Sequence, residues 1–75
     1  MKREHFEKTV FAERLKEARK NAGFSQAKLG ELLNVSQDTV SVWERAKAAP
    51  DAEQLFDICR VLEISAGYLI GLTDY

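Results

Sequence analysis

The chain has one cysteine, one histidine and one proline. A single cysteine, Cys59, excludes an intramolecular disulfide. With no apolar secretion segment in MKREHFEKT, the expected home is a reducing cytoplasm. The lone histidine, His5, falls near the N-terminus, whereas Cys59 falls on the inner stripe of an expected helix. No acid–base or nucleophilic constellation follows from that pair. Metal ligands at useful spacing are lacking as well. Neither catalysis, a cofactor nor a small-molecule ligand is therefore expected. No apolar run approaches the roughly 18 residues that a membrane span requires, so no membrane partner is expected. Repeats and low-complexity tracts are absent. A length of 75 residues allows one small domain, with little room for a deep cleft.

Charge is plentiful but unevenly placed. The net value is −1. Residues 1–23 carry seven Lys/Arg against four Glu, residues 24–50 three against three, and residues 51–75 one Arg against five acids. The N-terminal side is basic and the C-terminal side acidic. For a polyanionic partner, charge at the contact surface matters more than the total. Affinity driven by phosphate contacts should be modest and should fall steeply with salt.

Residues 1–8 read as a mobile arm and residues 9–75 as the domain. Thr9 is expected to cap a helix running to about Ala22, with Phe11, Leu15, Ala18 and Ala22 on one apolar stripe. Gly23 supplies a left-handed stop, and Phe24 the apolar contact that follows it. Ser25 caps a second helix over 26–33, and Asn34 makes the corner, since Asn tolerates a left-handed backbone best after Gly. Ser36 caps a third helix over 37–45. Leu29, Leu33, Val40 and Trp43 face inward, and Gly30 sits where another helix would cross closely. Pro50 holds 46–50 as a loop. Asp51 and Gln54 form a capping box for a fourth helix, whose inner stripe is Leu55, Ile58, Cys59 and Leu62. Ser65 caps a fifth, containing Tyr68, Leu69 and Ile70 and ended by Gly71. The fold class is all-α, five helices with short connections.

Helices two and three, set at a steep angle through a short turn, have the geometry that projects a helix into a DNA major groove. The motifs F-x-x-R-L-x-x-x-R (Phe11–Arg19), G-F-S-Q (Gly23–Gln26), L-G-x-L-L-N-V-S (Leu29–Ser36), T-V-S-x-W-E-R (Thr39–Arg45), Pro50 and Y-L-I-G-L-T-D (Tyr68–Asp74) follow in order. Residues 11–72 resemble the Cro/repressor-type (XRE-like) helix-turn-helix domain of phage and bacterial transcription regulators.

The resemblance implies a lambda-repressor-like fold and sequence-specific binding of double-stranded DNA by a regulator, most simply a repressor. Helix three, about 37–45, would enter the major groove. Gln26 would bind a phosphate and brace helix three. Gln37, in the first turn, can bond bidentately to the adenine N6/N7 edge. Ser36 caps helix three and can also touch backbone or base. Asp38 suits the helix dipole or accepts from cytosine N4. Thr39 and Ser41 could reach bases or phosphates, and Val42 a thymine methyl. Arg45 and Lys47 would anchor phosphates. An Arg19–Glu44 bridge would orient helix three. Trp43, although aromatic and close to nucleic acid, reads as core.

Two positions depart from the family pattern. Asn34 stands at the usual corner glycine. Ala46 stands at the usual loop glycine, where a left-handed backbone would cost alanine about 1 kcal/mol, or the loop is rerouted and Lys47 moves. A palindromic operator needs two recognition helices about 34 Å apart. A weak homodimer is expected through helix five and the tail, with Tyr68, Ile70, Leu72 and Tyr75 exposed. L-T-D-Y could equally open a linker to an effector domain. The competing reading is a protein-interaction module that keeps the fold without DNA contact, favoured by the acidic pI of about 5.8, Asp38, Val42 and Ala46.

Overall fold

Side-chain caps open most of the helices. The computed structural model describes residues 4–75. Among them the elements are α1 (Lys8–Asn21), α2 (Gln26–Leu33), α3 (Gln37–Glu44), α4 (Ala52–Leu62) and α5 (Ala66–Ile70). Ser25 accepts from the amide of Lys28, Ser36 from Thr39 and Ser65 from Tyr68, each at 3.0 Å. Asp51 completes a reciprocal box: its carboxylate accepts from Gln54 N at 2.8 Å, and its own amide donates to Gln54 Oε1 at 2.9 Å. Each bond satisfies an amide that the first helical turn leaves without a partner.

The exception is α1. Thr9 does not cap it; the helix begins at Lys8, behind an extended Glu7 whose side chain makes no capping bond. The Glu7 carbonyl already accepts from Phe11 N at 3.2 Å, which places Thr9 inside the first turn. Of the expected arm, residues 1–3 lie outside the described residues, and Lys8 is already helical. Phe6 is about half exposed, with its ring 6.1 Å from that of Phe11.

The stop of α1 follows its sequence. Gly23 takes φ +82°, Phe24 N donates to Arg19 O and Gly23 N to Lys20 O. Ala22, outside the helix as its C-cap, is exposed and not part of the apolar stripe; Ala12 is buried on α1 instead.

Phe11, Leu15, Leu29, Val40, Ile58 and Leu69 are fully buried, and Trp43 and Leu62 complete the core. Leu33 packs at its edge, only half-buried. Trp43 thus belongs to the core, where its position in the apolar pattern put it.

Helix α3 ends at Glu44, one residue earlier than expected, with Arg45 as its C-cap. The loop is not rerouted: Ala46 is left-handed at φ +59°, with Ala46 N donating to Trp43 O and Lys47 N to Val42 O, both at 3.1 Å. Alanine therefore occupies the backbone state that glycine fits. Ala46→Gly is expected to raise stability by up to about 1 kcal/mol, less the unfolded-state entropy that glycine adds. A shift of the urea midpoint to lower concentration would contradict this account of the loop.

The tail also differs from expectation. Tyr68 is half-buried, not exposed, and the Arg14 guanidinium lies 4.4 Å from its ring centre. Arg14 donates to the carbonyls of Tyr68 and Thr73, and Asp74 sits 3.7 Å from it. Ile70 is half-buried; Leu72 and Tyr75 are exposed.

Candidate nucleic-acid interface

The turn between α2 and α3 is fixed by backbone. Asn34 is left-handed at φ +60°, ψ +41°. Its amide donates to Glu31 O, and the Val35 amide to Gly30 O at 2.9 Å. Gly30 faces this turn itself, not a crossing helix: a Cβ there would lie 2.8 Å from Val35 O and 3.2 Å from Ser36 C and O. Since backbone would have to move, Gly30→Ala should cost about 1–3 kcal/mol despite alanine's better helix propensity. Unchanged thermal unfolding of that variant would show that the turn has slack.

Past the turn, Ser36 serves as the cap of α3, and Thr39 turns toward it, the two hydroxyls 2.9 Å apart. Ser36, Gln37 and Asp38 are exposed; Thr39, Ser41 and Val42 are half-buried; Arg45 and Lys47 are exposed. Gln37, Asp38, Ser41, Val42 and Arg45 fall at i, i+1, i+4, i+5 and i+8, so they share one side of the helix. Val40 and Trp43 hold the other side in the core. Arg45 Nε donates to Ser41 Oγ at 3.2 Å, which lays the guanidinium along this outer side. Asp38 supplies its negative charge, and Arg45 and Lys47 flank it with positive charge.

The back of α3 is tied to α1 and α2 through one carboxylate. Glu44 accepts from Arg19 Nε at 2.7 Å, from Arg19 Nη2 at 3.0 Å and from Gln26 Nε2 at 3.1 Å. Arg19 also donates from Nη1 to Phe24 O at 2.8 Å. The two charged side chains are 9% and 2% exposed, so the bidentate pair is desolvated and well partnered. The Glu44 hydrogen bond raises the Arg19 guanidinium above its ordinary range, against the opposing effect of burial. Sequence reasoning missed one part of this cluster: the Phe24 carbonyl carries no side-chain signal at all. The bracing expected of Gln26 takes the form of a bond to Glu44, 18 positions away.

Comparison with known proteins gives this arrangement a context. A family model described as Helix-turn-helix matches residues 15–69. The transcriptional regulator ImmR of Bacillus subtilis is 38% identical over 77% of this chain. The chain spans 46% of the length of ImmR and 28% of that of repressor protein C2 of Salmonella phage P22. The crystal structure of the P22 c2 repressor with a synthetic operator superposes with TM-score 0.81 at 33% identity, over 85% of this chain and 97% of that one. Hydroxypropylphosphonic acid epoxidase from S. wedmorenis superposes with TM-score 0.78 at 36% identity, over 84% of this chain but only 34% of the enzyme. With the model match covering most of its length, and the capped α2–turn–α3 unit at its centre, the chain belongs to the Cro/repressor-type helix-turn-helix family.

Proposed function

We propose that this chain binds double-stranded DNA sequence-specifically, as a cytoplasmic transcriptional regulator acting as a repressor, with α3 in the major groove. One observation carries the reading. The outer side of α3 is uncovered, while its back is locked to α1 and α2 through Arg19, Glu44 and Gln26. A helix held this rigidly can present side chains to base edges without rearranging. The likeness to a repressor crystallised on operator DNA supports the same orientation.

In this reading Gln37 reads a base, Val42 offers its methyls to thymine, and Asp38 discriminates against sites that bring phosphate or an acceptor close. Ser36, Thr39 and Ser41 serve chiefly through the cap and through Arg45. Gln26, Arg45 and Lys47 hold the phosphates. The chain acts by binding, without a cofactor. A palindromic operator is read by two copies, weakly joined through the end of α5 and the tail, where Leu72 and Tyr75 are the exposed apolar residues.

The test pairs two variants on a duplex selected from random DNA. Gln37→Ala should lose about 1–3 kcal/mol on the selected site and little on random duplex. Arg45→Ala should weaken both alike and lower the salt slope by about one unit. A gel shift with no complex on any duplex at low salt would sink the reading. It would favour the second one, a module that keeps this fold for protein contact. The likeness to one third of an epoxidase chain shows that the fold also occurs within an enzyme, so the fold alone does not decide between the two.

A further inference from the structure

A large concavity lies away from α3. It is an open groove of about 1020 Å³ between the C-terminal ends of α1 and α4 and the start of α5. Its floor is apolar, built from Ala18, Phe24, Val61, Leu62, Ile64 and the Tyr68 ring. Apart from Leu62, each of these is half-buried, so packing against the core leaves part of its surface open. No residue of α3 lines the groove, so an occupant would leave the proposed DNA-reading side free.

The electrostatics of the rim select the occupant. The charged side chains lining the groove are Glu17 and Glu63, with no lysine or arginine between them. Tyr68 Oη donates to Glu17 Oε1 at 3.3 Å and holds that carboxylate at the edge. Two helix C-termini, those of α1 and α4, also end in the lining and carry partial negative charge. Helix α5, only five residues long, adds a small opposite contribution at its start. Glu63 is left-handed at φ +55°, a state glycine would adopt without cost, so a carboxylate stands at the rim at the expense of stability.

We propose that this groove docks a basic amphipathic helix of a partner protein, its apolar stripe on the floor and its Lys/Arg flanks against Glu17 and Glu63. An apolar trough with a single-sign rim suits the helix-in-groove mode, in which residues at i, i+3/i+4 and i+7 anchor the helix. Rim charges then contribute encounter rate and selectivity more than affinity.

The test uses the isotope-labelled chain and two synthetic helices, one of leucine and lysine and one of leucine and glutamate, with leucines at the same stripe positions. The lysine helix should move the amide signals of Ala22, Val61 and Ile64 saturably, and the glutamate helix should not. Reversing both rim charges, Glu17→Lys with Glu63→Lys, should weaken the lysine helix about fivefold at low salt and less at high salt. Ala22→Arg should abolish binding while leaving the fold intact, because Ala22 is exposed with ordinary helical dihedrals (φ −79°, ψ −8°). Equal binding of both helices would overturn the proposal, as would shifts centred on other surfaces or none that saturate. Signals at these positions that move with protein concentration alone would assign the groove to a second copy. Shifts with toluene and none with either helix would assign it to a small apolar ligand. Both results also overturn the proposal. Its failure leaves the reading of bases by α3 untouched, because the groove and the outer side of α3 share no residue; Tyr75 is common only to the groove and the tail named for the contact between copies.

Discussion

Replacing Glu44 with alanine is expected to cost about 3–5 kcal/mol of folding stability. The carboxylate is 2% exposed and accepts from three donors, so its loss strands a desolvated guanidinium with only the Phe24 carbonyl for company. Native domains are stable by only about 5–15 kcal/mol, so chemical denaturation should move to markedly lower urea. The amide of Glu44→Gln keeps an acceptor, and that variant should fall between. The double exchange Arg19→Met with Glu44→Leu separates stability from orientation. Apolar replacement of a buried pair is often neutral or stabilising by about 1–4 kcal/mol. The double variant should therefore stay folded while its affinity for a selected duplex drops, because the polar tie at the end of α3 no longer sharpens its axial rotation. If it kept both stability and affinity, the pair would have no positioning role.

Trp43→Ala is expected to cost about 3–5 kcal/mol, the range for truncating a buried aromatic. The indole is 3% exposed and packs in the cluster that includes Leu15, Leu29 and Val40. Trp43→Phe retains most of that apolar area and should cost about 1–2 kcal/mol. Per folded molecule, its affinity for DNA should be unchanged, since the ring lies on the side of α3 that faces α1 and α2. A Phe variant of full stability but lower affinity would put the indole on the nucleic acid instead. Both measurements use the same urea series and duplex titration, so folding and recognition can be separated in one set of samples.

The elements most legible in the sequence are those whose ends are written in side chains. Helix α2 spans Gln26–Leu33 as read, because Ser25 and Asn34 mark both ends with distinct chemistry. The capping box of α4 was legible for the same reason. The start of α1 was not, since Glu7 offers the structure no capping bond and Thr9 offered the reader a false one. Alanine and glutamate do not advertise a left-handed backbone: at Ala46 only the family pattern raised it, as one of two alternatives, and at Glu63 it emerges only from the structure. Tyr68 packs under Arg14, 54 positions away, and no local pattern encodes such a contact. At the site, spacing located the outer side of α3, and the family resemblance implied the Arg19–Glu44 partners. The way Arg45 leans on Ser41 and Thr39 on Ser36 depends on rotamers that sequence does not specify.

Left-handed helix stops held by residues other than glycine have a thermal consequence. Asn34 bears this state at little cost, but Ala46 and Glu63 each forgo about 1 kcal/mol relative to an unstrained stop. In a domain of this size 1 kcal/mol corresponds to about 4–8 °C in Tm. Exchanging both residues for glycine therefore raises the melting temperature by at most about 8–16 °C, and less once the added freedom of the unfolded chain is counted. Two loop positions thus hold the melting point somewhat below what unstrained stops would permit.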